Sequence, residues 1–500
     1  MSDAVLPEIS RNYIDGEWVE TGERRTLINP STGEPNGESC EADVALTERA
    51  VAAARRAFDD GPWSRWTPEE RCEVLKDVVD HLMERTDDLV DIEAANAGAT
   101  KRTGSIVHVG IALSNFDHYA EAALTPMQEA LPPTENPYFA PKWVVREPLG
   151  VCAGIVPWNV PLLMAIWKVA PALAMGNTVV LKPAPATPMS VQVLAGAFDA
   201  CGLPPGVFNL VLGDAVPGEA LASSPDVDKI SFTGSTPVGK RVMQLAASNV
   251  KKVTLELGGK SANILLDDAD LDVAIDGSIF GFTFHSGQFC ESGTRLLVPE
   301  HLHDEVVERL RDRLGSVVIG SAEDWDTDLG PLISQAQLDR VAGYVDLGCE
   351  EGAKVVAGGR RPPHLDAGGY FYEPTVLAGV DNSMRVAQEE IFGPVLCVIP
   401  YRKVDDAIAI ANDSPYGLAG GVFSEDVTAA VEVARRVRAG TLWVNDWHLG
   451  VMDAPFGGYK QSGLGREHGR QGLEEFCETK AIHVSQARPE QRLFGMMMSG

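Results

Sequence analysis

Two residues in this sequence could carry covalent chemistry, Cys290 and Glu256. Cys290 lies in FGFTFHSGQFCESGTR, at the end of an apolar helical pattern and just after Gly287, where a turn can expose a thiol. A cysteine thiolate is a strong nucleophile, although an isolated cysteine is more often a buried structural residue. Glu256 ends the apolar strand pattern in VTLELGGK. Burial there would raise the pKa of the carboxyl toward the value that a general base needs, whereas pairing with Lys260 would make Glu256 structural.

His285, five residues before Cys290, allows a second interpretation. A thiolate paired with an imidazole is the nucleophile of thiol hydrolases. Such a pair needs an Asn or Asp that orients the imidazole, and none can be assigned from the sequence. The dyad is therefore the less favoured alternative.

A glycine-rich turn offers a candidate site for a phosphate. The strand pattern KISFT is followed by GSTPVG at 234–239 and by a helical pattern over 236–247. Glycines let the backbone approach a ligand, Pro237 suits a first helical turn, and a helix N-terminus attracts anions. A tight turn without any ligand is the plainer alternative.

The same turn also matches the start of a P-loop, G-x-x-x-x-G-K, from Gly234 to Lys240. A P-loop needs Ser or Thr at the next position to bind magnesium, and Arg241 stands there. The absence of that hydroxyl argues against a nucleotide triphosphatase. Gly463-Leu464-Gly465 resembles a dinucleotide fingerprint but follows no strand pattern, and we predict a loop.

The elements that must position these residues form two alternating series. From Val144 to Gly259, β-branched apolar runs alternate with helical patterns, and a second series runs from about NILL at 262–265 to GTLWVND at 440–446. Such alternation predicts parallel sheets with helices on both faces, where ligands bind beyond the carboxyl ends of the strands. The segment 117–147 and the tail after Thr479 fit neither series and could be arms that pair with each other or with another subunit.

Composition narrows the function classes. A chain of 500 residues predicts two or three domains. A formal charge of -29 would repel nucleic acid and anionic lipid, which leaves small molecules as partners. The eight cysteines form no C-x-x-C pair, so we expect no metal site and a reducing, cytoplasmic environment. No secretory signal is recognisable at the N-terminus, and Pro157, Pro161 and Pro171 interrupt the apolar stretch 151–181, so no membrane span is expected.

Taken together, seven motifs resemble those of the aldehyde dehydrogenase superfamily, and the resemblance covers essentially the whole chain. The motifs are Pro157-Trp158-Asn159, Leu181-Lys182-Pro183, Phe232-Thr233-Gly234-Ser235, Leu255-Glu256-Leu257-Gly258-Gly259-Lys260, Gly287-Gln288-Phe289-Cys290, Glu389-Glu390-Ile391-Phe392-Gly393-Pro394 and Pro455-Phe456-Gly457-Gly458. The resemblance implies an α/β fold with two Rossmann-related open-sheet domains and a small β arm for oligomerisation. It implies a cofactor-binding domain at 1–122 and 149–258, a catalytic domain at 259–460 and the arm at 123–148 and 478–500, in a homotetramer or homodimer.

The resemblance also implies the roles of individual residues in oxidising an aldehyde to a carboxylic acid. Cys290 would attack the aldehyde, Asn159 and the Cys290 N–H would hold the oxyanion, and Glu256 would activate the water that hydrolyses the thioester. Lys168 and Glu467 would relay the proton. The carboxylate at Glu256 favours hydrolysis over transfer of the acyl group to coenzyme A.

The cofactor implied is NAD, with NADP not excluded. The cofactor-binding residues implied are Ile155, Pro157, Trp158, Lys182, Gly234, Ser235, Gly239, Leu257, Glu390 and Phe392. NAD-selective members often place Glu three residues after the conserved lysine, and Pro185 stands here. This departure weakens the argument against NADP.

The aldehyde pocket implied is lined by Val160, Met164, Trp167, Phe284, Phe289, Trp447 and Phe456. As a set these side chains suggest an apolar or aromatic aldehyde, although each is more often core filling. His285 replaces the usual Asn, and we expect it to make activity pH-dependent near the ordinary imidazole pKa of ~6.5. A non-catalytic, cofactor-binding structural protein is the remaining alternative, and retention of Cys290, Glu256 and Asn159 argues against it.

Overall fold

The computed structural model describes residues 6–135, 138–488, 492–493 and 497–498. Within these ranges the strands are β1 (Ile9–Ser10), β2 (Asn12–Ile14), β3 (Glu17–Val19), β4 (Arg24–Ile28), β5 (Pro35–Cys40), β6 (Gln128–Thr134), β7 (Ala140–Pro148), β8 (Val151–Ile155), β9 (Thr178–Lys182), β10 (Phe208–Leu210), β11 (Lys229–Thr233), β12 (Lys252–Glu256), β13 (Ala262–Leu265), β14 (Arg295–Pro299), β15 (Lys354–Ala357), β16 (Thr375–Ala378), β17 (Val395–Tyr401), β18 (Ala419–Phe423), β19 (Thr441–Val444), β20 (Gly463–Leu464) and β21 (Cys477–His483).

The helices pack around these strands. They are α1 (Val44–Asp59), α2 (Pro68–Met83), α3 (Thr86–Ala97), α4 (Lys101–Thr103), α5 (Ala112–Ala122), α6 (Pro161–Ala174), α7 (Met189–Ala200), α8 (Ala215–Ser223), α9 (Thr236–Ala246), α10 (Leu271–Thr283), α11 (His303–Leu314), α12 (Gln335–Glu350), α13 (Arg385–Gln388), α14 (Val404–Asn412), α15 (Val427–Arg436) and α16 (Gly469–Glu474). A π-helical segment, Gly104–Ile111, joins α4 to α5.

The first large sheet has the strand order β20-β12-β11-β8-β9-β10-β2-β3. Its central strands, from β12 to β10, pair in parallel, and β2, β3 and β20 are antiparallel. Every residue of β8, β9 and β11 is buried, as expected for parallel strands that are covered by helices on both faces. The carboxyl ends of β8, β11 and β12 are therefore adjacent.

The second large sheet has the order β15-β16-β17-β14-β13-β18-β19, and all its pairs except β15–β16 are parallel. The chain passes from β12, the last parallel strand of the first sheet, to β13 through residues 257–261 alone. The carboxyl edge of the first sheet thus faces the amino edge of the second. The predicted α/β class with two open sheets is confirmed.

The two segments that fit neither series pair with each other. Strands β6, β7 and β21 form a three-stranded antiparallel sheet in the order β21-β7-β6. Nearly all side chains of β6 and β21 are exposed. Of the predicted arm, residues 136–137, 489–491, 494–496 and 499–500 lie outside the described residues.

The prediction of a loop at Gly463-Leu464-Gly465 is wrong for the first two of these residues. Gly463 and Leu464 form β20, which pairs antiparallel with β12 so that Gly463 is opposite Glu256. The strand is only two residues long and has no apolar alternation of its own, which is why its sequence resembles a loop.

Among the described helices, none combines the length and apolarity needed to cross a bilayer.

Candidate active site

A cavity of about 1150 Å³ lies between the two large sheets. The first sheet contributes residues at and after the carboxyl ends of β8, β11 and β12. The second contributes the segments that precede β14 and β17, together with β19 and the loop that follows it. Sixteen of the predicted site residues line this cavity: Pro157, Trp158, Asn159, Val160, Met164, Trp167, Gly234, Ser235, Glu256, Leu257, Phe284, Phe289, Cys290, Glu390, Phe392 and Phe456.

Cys290 is held on the cavity wall by a strained turn after α10. His285, Ser286 and Gly287 have φ values of 47°, 56° and 70°, all in the left-handed region. A Cβ at Gly287 would collide with the backbone of Gly393, so glycine is required there. The turn brings the thiol to a half-buried position. Burial, followed by the neighbouring carboxylates, raises the pKa of the Cys290 thiol well above its ordinary value.

Gln288 anchors the same turn. Its side-chain oxygen accepts a hydrogen bond from the backbone N–H of Ile333 at 2.9 Å. The Asn159 side chain donates to the backbone carbonyl of Gln288 at 2.9 Å. An amide nitrogen has two hydrogens, so this bond orients the Asn159 amide and leaves its second N–H for another acceptor beside Cys290.

Glu256 ends β12 inside the cavity. Its side chain is 3% exposed, and neither carboxylate oxygen has a hydrogen-bond partner within the described structure. Burial raises the pKa of Glu256 well above its ordinary value, and the negative charge of Glu467 raises it further. A Cβ at Gly457 would lie 2.7 Å from the Glu256 Oε1 atom, which explains the glycine. The predicted alternative, pairing with Lys260, does not occur, because the Lys260 ammonium has no partner in the described residues.

Lys168 and Glu467 form a buried ion pair behind Glu256. The Lys168 Nζ and Glu467 Oε1 atoms are 2.5 Å apart, and the side chains are 1% and 3% exposed. Neither residue lines the cavity. Lys168 lowers and Glu467 raises the pKa of Glu256, so the pair is coupled electrostatically to the carboxylate.

The opposite part of the cavity has groups that fit a nucleotide. Helix α9 begins at Thr236 with proline in its first turn, and the Ser235 side chain that precedes it makes no capping hydrogen bond. The buried Thr233 hydroxyl, also on the wall, has no partner within the described residues. The rings of Trp158 and Phe392 meet edge to face at 5.3 Å between centroids. Donors and rings are thus available for an anionic group and a planar ring.

Glu390 is held by the loop between the two sheets. Its Oε1 atom accepts a hydrogen bond from the Gly259 N–H at 3.0 Å. Burial raises the pKa of Glu390 to about 7, and Arg340 and Lys260 act against that shift. A Cβ at Gly258 would collide with this carboxylate.

Three further predicted cofactor residues lie outside the cavity wall but beside it. Ile155 and Lys182 are opposite each other in the pairing of β8 with β9, and both face Gly218 of α8. Burial lowers the pKa of Lys182 to about 8. Gly239 packs so closely on Leu257 that a Cβ would collide with it. At the P-loop position, Arg241 Nε donates to Glu219 Oε1 at 3.0 Å.

Trp447 does not line the cavity, so its prediction as a pocket residue is wrong. Its side chain is 2% exposed and lies against Gly281, Gly293 and Gly421. A Cβ at Gly421 would be 2.5 Å from the Trp447 ring, so these glycines create the room for the indole behind the wall. The wall residues that sequence reasoning missed include Val107, Ile111, Trp443, His448 and Met452. No motif marked these positions: Val107 and Ile111 lie in the π-helical segment, Trp443 lies in β19, and His448 and Met452 lie in the loop after β19.

His285 does not face the cavity and makes no hydrogen bond to Cys290 in the described structure. Its buried ring packs on His108, with 4.8 Å between the ring centroids, and His108 Nδ1 is 2.7 Å from Glu93 Oε2. Burial and His108 lower the pKa of His285 well below its ordinary value. Burial therefore argues against the expected titration of His285 near ~6.5, and the geometry gives the alternative dyad with Cys290 no support.

Known proteins of one family resemble this chain both in sequence and in structure. Residues 18–482 match the model of the aldehyde dehydrogenase family. The chain is 43% identical to betaine aldehyde dehydrogenase of Bacillus subtilis, over 94% of this chain and 96% of that protein. It is 41% identical to aldehyde dehydrogenase of Alternaria alternata, over 94% of each. The solved structure of betaine aldehyde dehydrogenase from Staphylococcus aureus in complex with NAD+ has a TM-score of 0.94 and 40% identity, covering 99% of this chain and 97% of that one.

Proposed function

The chain belongs to the aldehyde dehydrogenase family, and we propose that it oxidises an apolar or aromatic aldehyde to the carboxylic acid with NAD, using Cys290 as nucleophile. Aldehyde oxidation itself follows from family membership. The observation that carries the assignment of residues is that Cys290, Asn159 and Glu256 meet on one cavity wall, although they come from three different segments of the chain. A variant of the Staphylococcus aureus enzyme, solved with NAD+, has a BME-modified cysteine, which supports a reactive cysteine here.

The first step is attack by the Cys290 thiolate on the aldehyde carbon, which forms a thiohemiacetal and places negative charge on the former carbonyl oxygen. The free N–H of the Asn159 side chain and the backbone N–H of Cys290 are the donors for that oxygen. Because Asn159 is already fixed by its bond to the Gln288 carbonyl, it stabilises the developing charge without reorganising.

The donors, charged groups and rings in the nucleotide-binding part of the cavity would hold the coenzyme. Ser235 and the α9 N-terminus would bind the pyrophosphate, Lys182 the adenosine ribose, and Glu390 the nicotinamide ribose. When bound, the coenzyme accepts the hydride that the thiohemiacetal loses, which leaves a thioester on Cys290. Trp158 and Phe392 would restrict the nicotinamide position from one side.

Hydrolysis of the thioester needs a base. The Glu256 carboxylate is raised in pKa by burial, so it can take a proton from water at neutral pH more readily than an exposed carboxylate. The hydroxide attacks the thioester carbon, the C–S bond breaks, and the acid and the Cys290 thiolate are released. The Lys168–Glu467 pair then provides a route by which the proton leaves Glu256.

The surroundings of Lys182 support NAD over NADP. Asp214 and Glu41 add negative charge near the Lys182 ammonium, and Glu41 is joined to Arg25 at 2.6 Å. Arg25, which also contacts Asp214 at 3.2 Å, cancels one of these two negative charges, and the net charge that remains on the three side chains would repel a 2′-phosphate. They provide the negative charge that Pro185 cannot provide.

The remaining assignments concern the whole protein. We assign cofactor binding to 1–122 and 149–258, catalysis to 259–460 and oligomerisation to the arm at 123–148 and 478–500. The exposed strands β6 and β21 support a homo-oligomer, for which we propose a tetramer. Eight unpaired cysteines support a cytoplasmic location.

A panel of aldehydes tests the function. Aliphatic, aromatic and hydroxylated aldehydes and betaine aldehyde are offered with NAD and, separately, with NADP, and the absorbance of the reduced nicotinamide is followed. We expect reduction with apolar or aromatic aldehydes and NAD, without coenzyme A. Cys290→Ala should abolish turnover and leave NAD binding intact. A Cys290→Ala variant that oxidises aldehydes normally would disprove the mechanism, and NAD binding without turnover of any aldehyde would favour a structural role.

A further inference from the structure

The residue after the nucleophile is an acid that is joined to a histidine on the cavity wall. Glu291 Oε1 and His448 Nδ1 are 2.8 Å apart, and the side chains are 9% and 6% exposed. Both residues line the cavity beside Cys290. The proposed reaction assigns no role to either residue.

Aromatic rings hold the His448 imidazole in place. Five ring centroids lie between 4.9 and 6.2 Å from its own, and they belong to Phe280, Phe284, Phe289, Trp443 and Trp447. His448 has a φ of 62°, so its backbone conformation is also unusual. These contacts fix the imidazole with its Nδ1 atom toward the Glu291 carboxylate.

Three carboxylates act on the Cys290 thiol: Glu291, Glu256 and Glu390. Glu256 has no hydrogen-bond partner in the described residues, and Glu390 accepts only from the Gly259 backbone. Within the described structure, Glu291 alone among the three is joined to another side chain, the His448 imidazole. Of the three carboxylates, Glu291 contributes most to raising the thiol pKa, after burial itself.

We propose that His448 is a positioning residue for the nucleophile: by binding the Glu291 carboxylate it offsets the negative charge beside Cys290, and it thereby keeps more of the thiol ionised at working pH. The catalytic meaning of this inference rests on the proposed role of Cys290. Glu256 also acts on the Cys290 thiol, and it is itself surrounded by the charges of Lys168, Arg466, Glu467 and Glu475. Replacing Glu291 or His448 leaves all of these charges unchanged.

The test measures ionisation of the thiol without turnover. The full-length protein is treated with iodoacetamide from about pH 6 to about pH 9.5, and alkylation of the peptide that contains Cys290 is followed by mass spectrometry. We expect His448→Gln to move the alkylation midpoint to higher pH, so that alkylation slows by up to about tenfold per unit of pKa shift. Glu291→Gln should move the midpoint to lower pH. In the Glu291→Gln background, His448→Gln should cause no further rise.

Two controls accompany these variants. Cys349 is exposed, and its alkylation profile in the same samples should not move. Leu449→Gln changes an exposed neighbour on the same loop and should leave the Cys290 midpoint where it is. A midpoint unaffected by His448→Gln, or raised equally with and without Glu291, would overturn the proposal. Alkylation requires no aldehyde, so this outcome is distinguishable from failure of the proposed function, which Cys290→Ala turnover tests.

Discussion

Replacing Glu256 by Gln should separate the two halves of the reaction. Glutamine has the size of glutamate, and neither carboxylate oxygen of Glu256 has a hydrogen-bond partner to lose among the described residues. The variant should therefore fold normally and bind coenzyme. Only the base is removed, so attack by Cys290 and oxidation should proceed, and the thioester should accumulate.

The expected size of the effect follows from the burial of the site. A positioned general base contributes about 10²- to 10⁴-fold to the rate, which is about 3 to 5 kcal/mol of barrier. Because the carboxylate is almost fully buried, bulk solvent cannot replace it as a base. We expect the Glu256→Gln substitution to lower kcat by a factor within that range.

Stopped-flow absorbance of the reduced nicotinamide is the assay. We expect a burst of one equivalent per active site, followed by a slow steady state. Glu219→Gln, which changes an exposed carboxylate on α8, is the matched control and should turn over normally. A slow variant with no burst would mean that Glu256 acts before oxidation, for instance on the thiol, and an unchanged kcat would mean that it is not the base.

Three other predictions follow from the charges behind the site. Lys168→Met leaves the buried Glu467 carboxylate unpaired, which should lower the free energy of unfolding by about 3 to 5 kcal/mol. In urea unfolding, the double variant that also carries Glu467→Leu should lose less of this free energy than Lys168→Met alone. An equal loss in the two variants would contradict the pairing. The wild-type kcat should fall as pH decreases through the raised pKa of Glu256, because the protonated carboxyl cannot accept a proton. Lys168→Met should move this acidic limb of the kcat profile to higher pH, since Lys168 lowers the pKa of Glu256. An acidic limb at the ordinary carboxyl pKa of about 4.3 would be inconsistent with burial. His285→Asn should leave the pH profile of kcat unchanged near pH ~6.5, because the buried imidazole is already neutral there, and a moved profile would restore a role for its titration.

The strands were the most predictable part of the fold. β8 (VCAGI), β9 (TVVLK) and β11 (KISFT) consist mainly of apolar or β-branched residues, and such runs alternating with helical patterns indicate a buried parallel sheet. The position of Cys290 and Glu256 on one cavity was also foreseeable from the motifs. Its physical basis, the short passage from β12 to β13, becomes visible only in the strand order.

The errors have a common cause in distant contacts. Trp447 looked like a pocket residue, but the space behind the wall exists because of Gly281, Gly293 and Gly421, which are far from it in sequence. β20 was missed because its two residues are fixed by pairing with β12 and not by any pattern of their own. His448 has no local signal either, since its partner Glu291 is 157 residues away.

The loop between β12 and β13 brings together the residues that we propose as base, nucleophile and coenzyme ligand. Gly258 lacks a Cβ where the Glu390 carboxylate lies, and a Cβ at Gly259 would be 2.5 Å from the Cys290 carbonyl oxygen. The same two glycines therefore allow one five-residue passage to touch the segments before β14 and β17 at once. A side chain at Gly259 would press on the backbone of Cys290, and one at Gly258 would displace the Glu390 carboxylate. Backbone contacts within a short segment thus hold Glu256 and Cys290 on the same cavity, and the proposed base and nucleophile need no long flexible connection to come together.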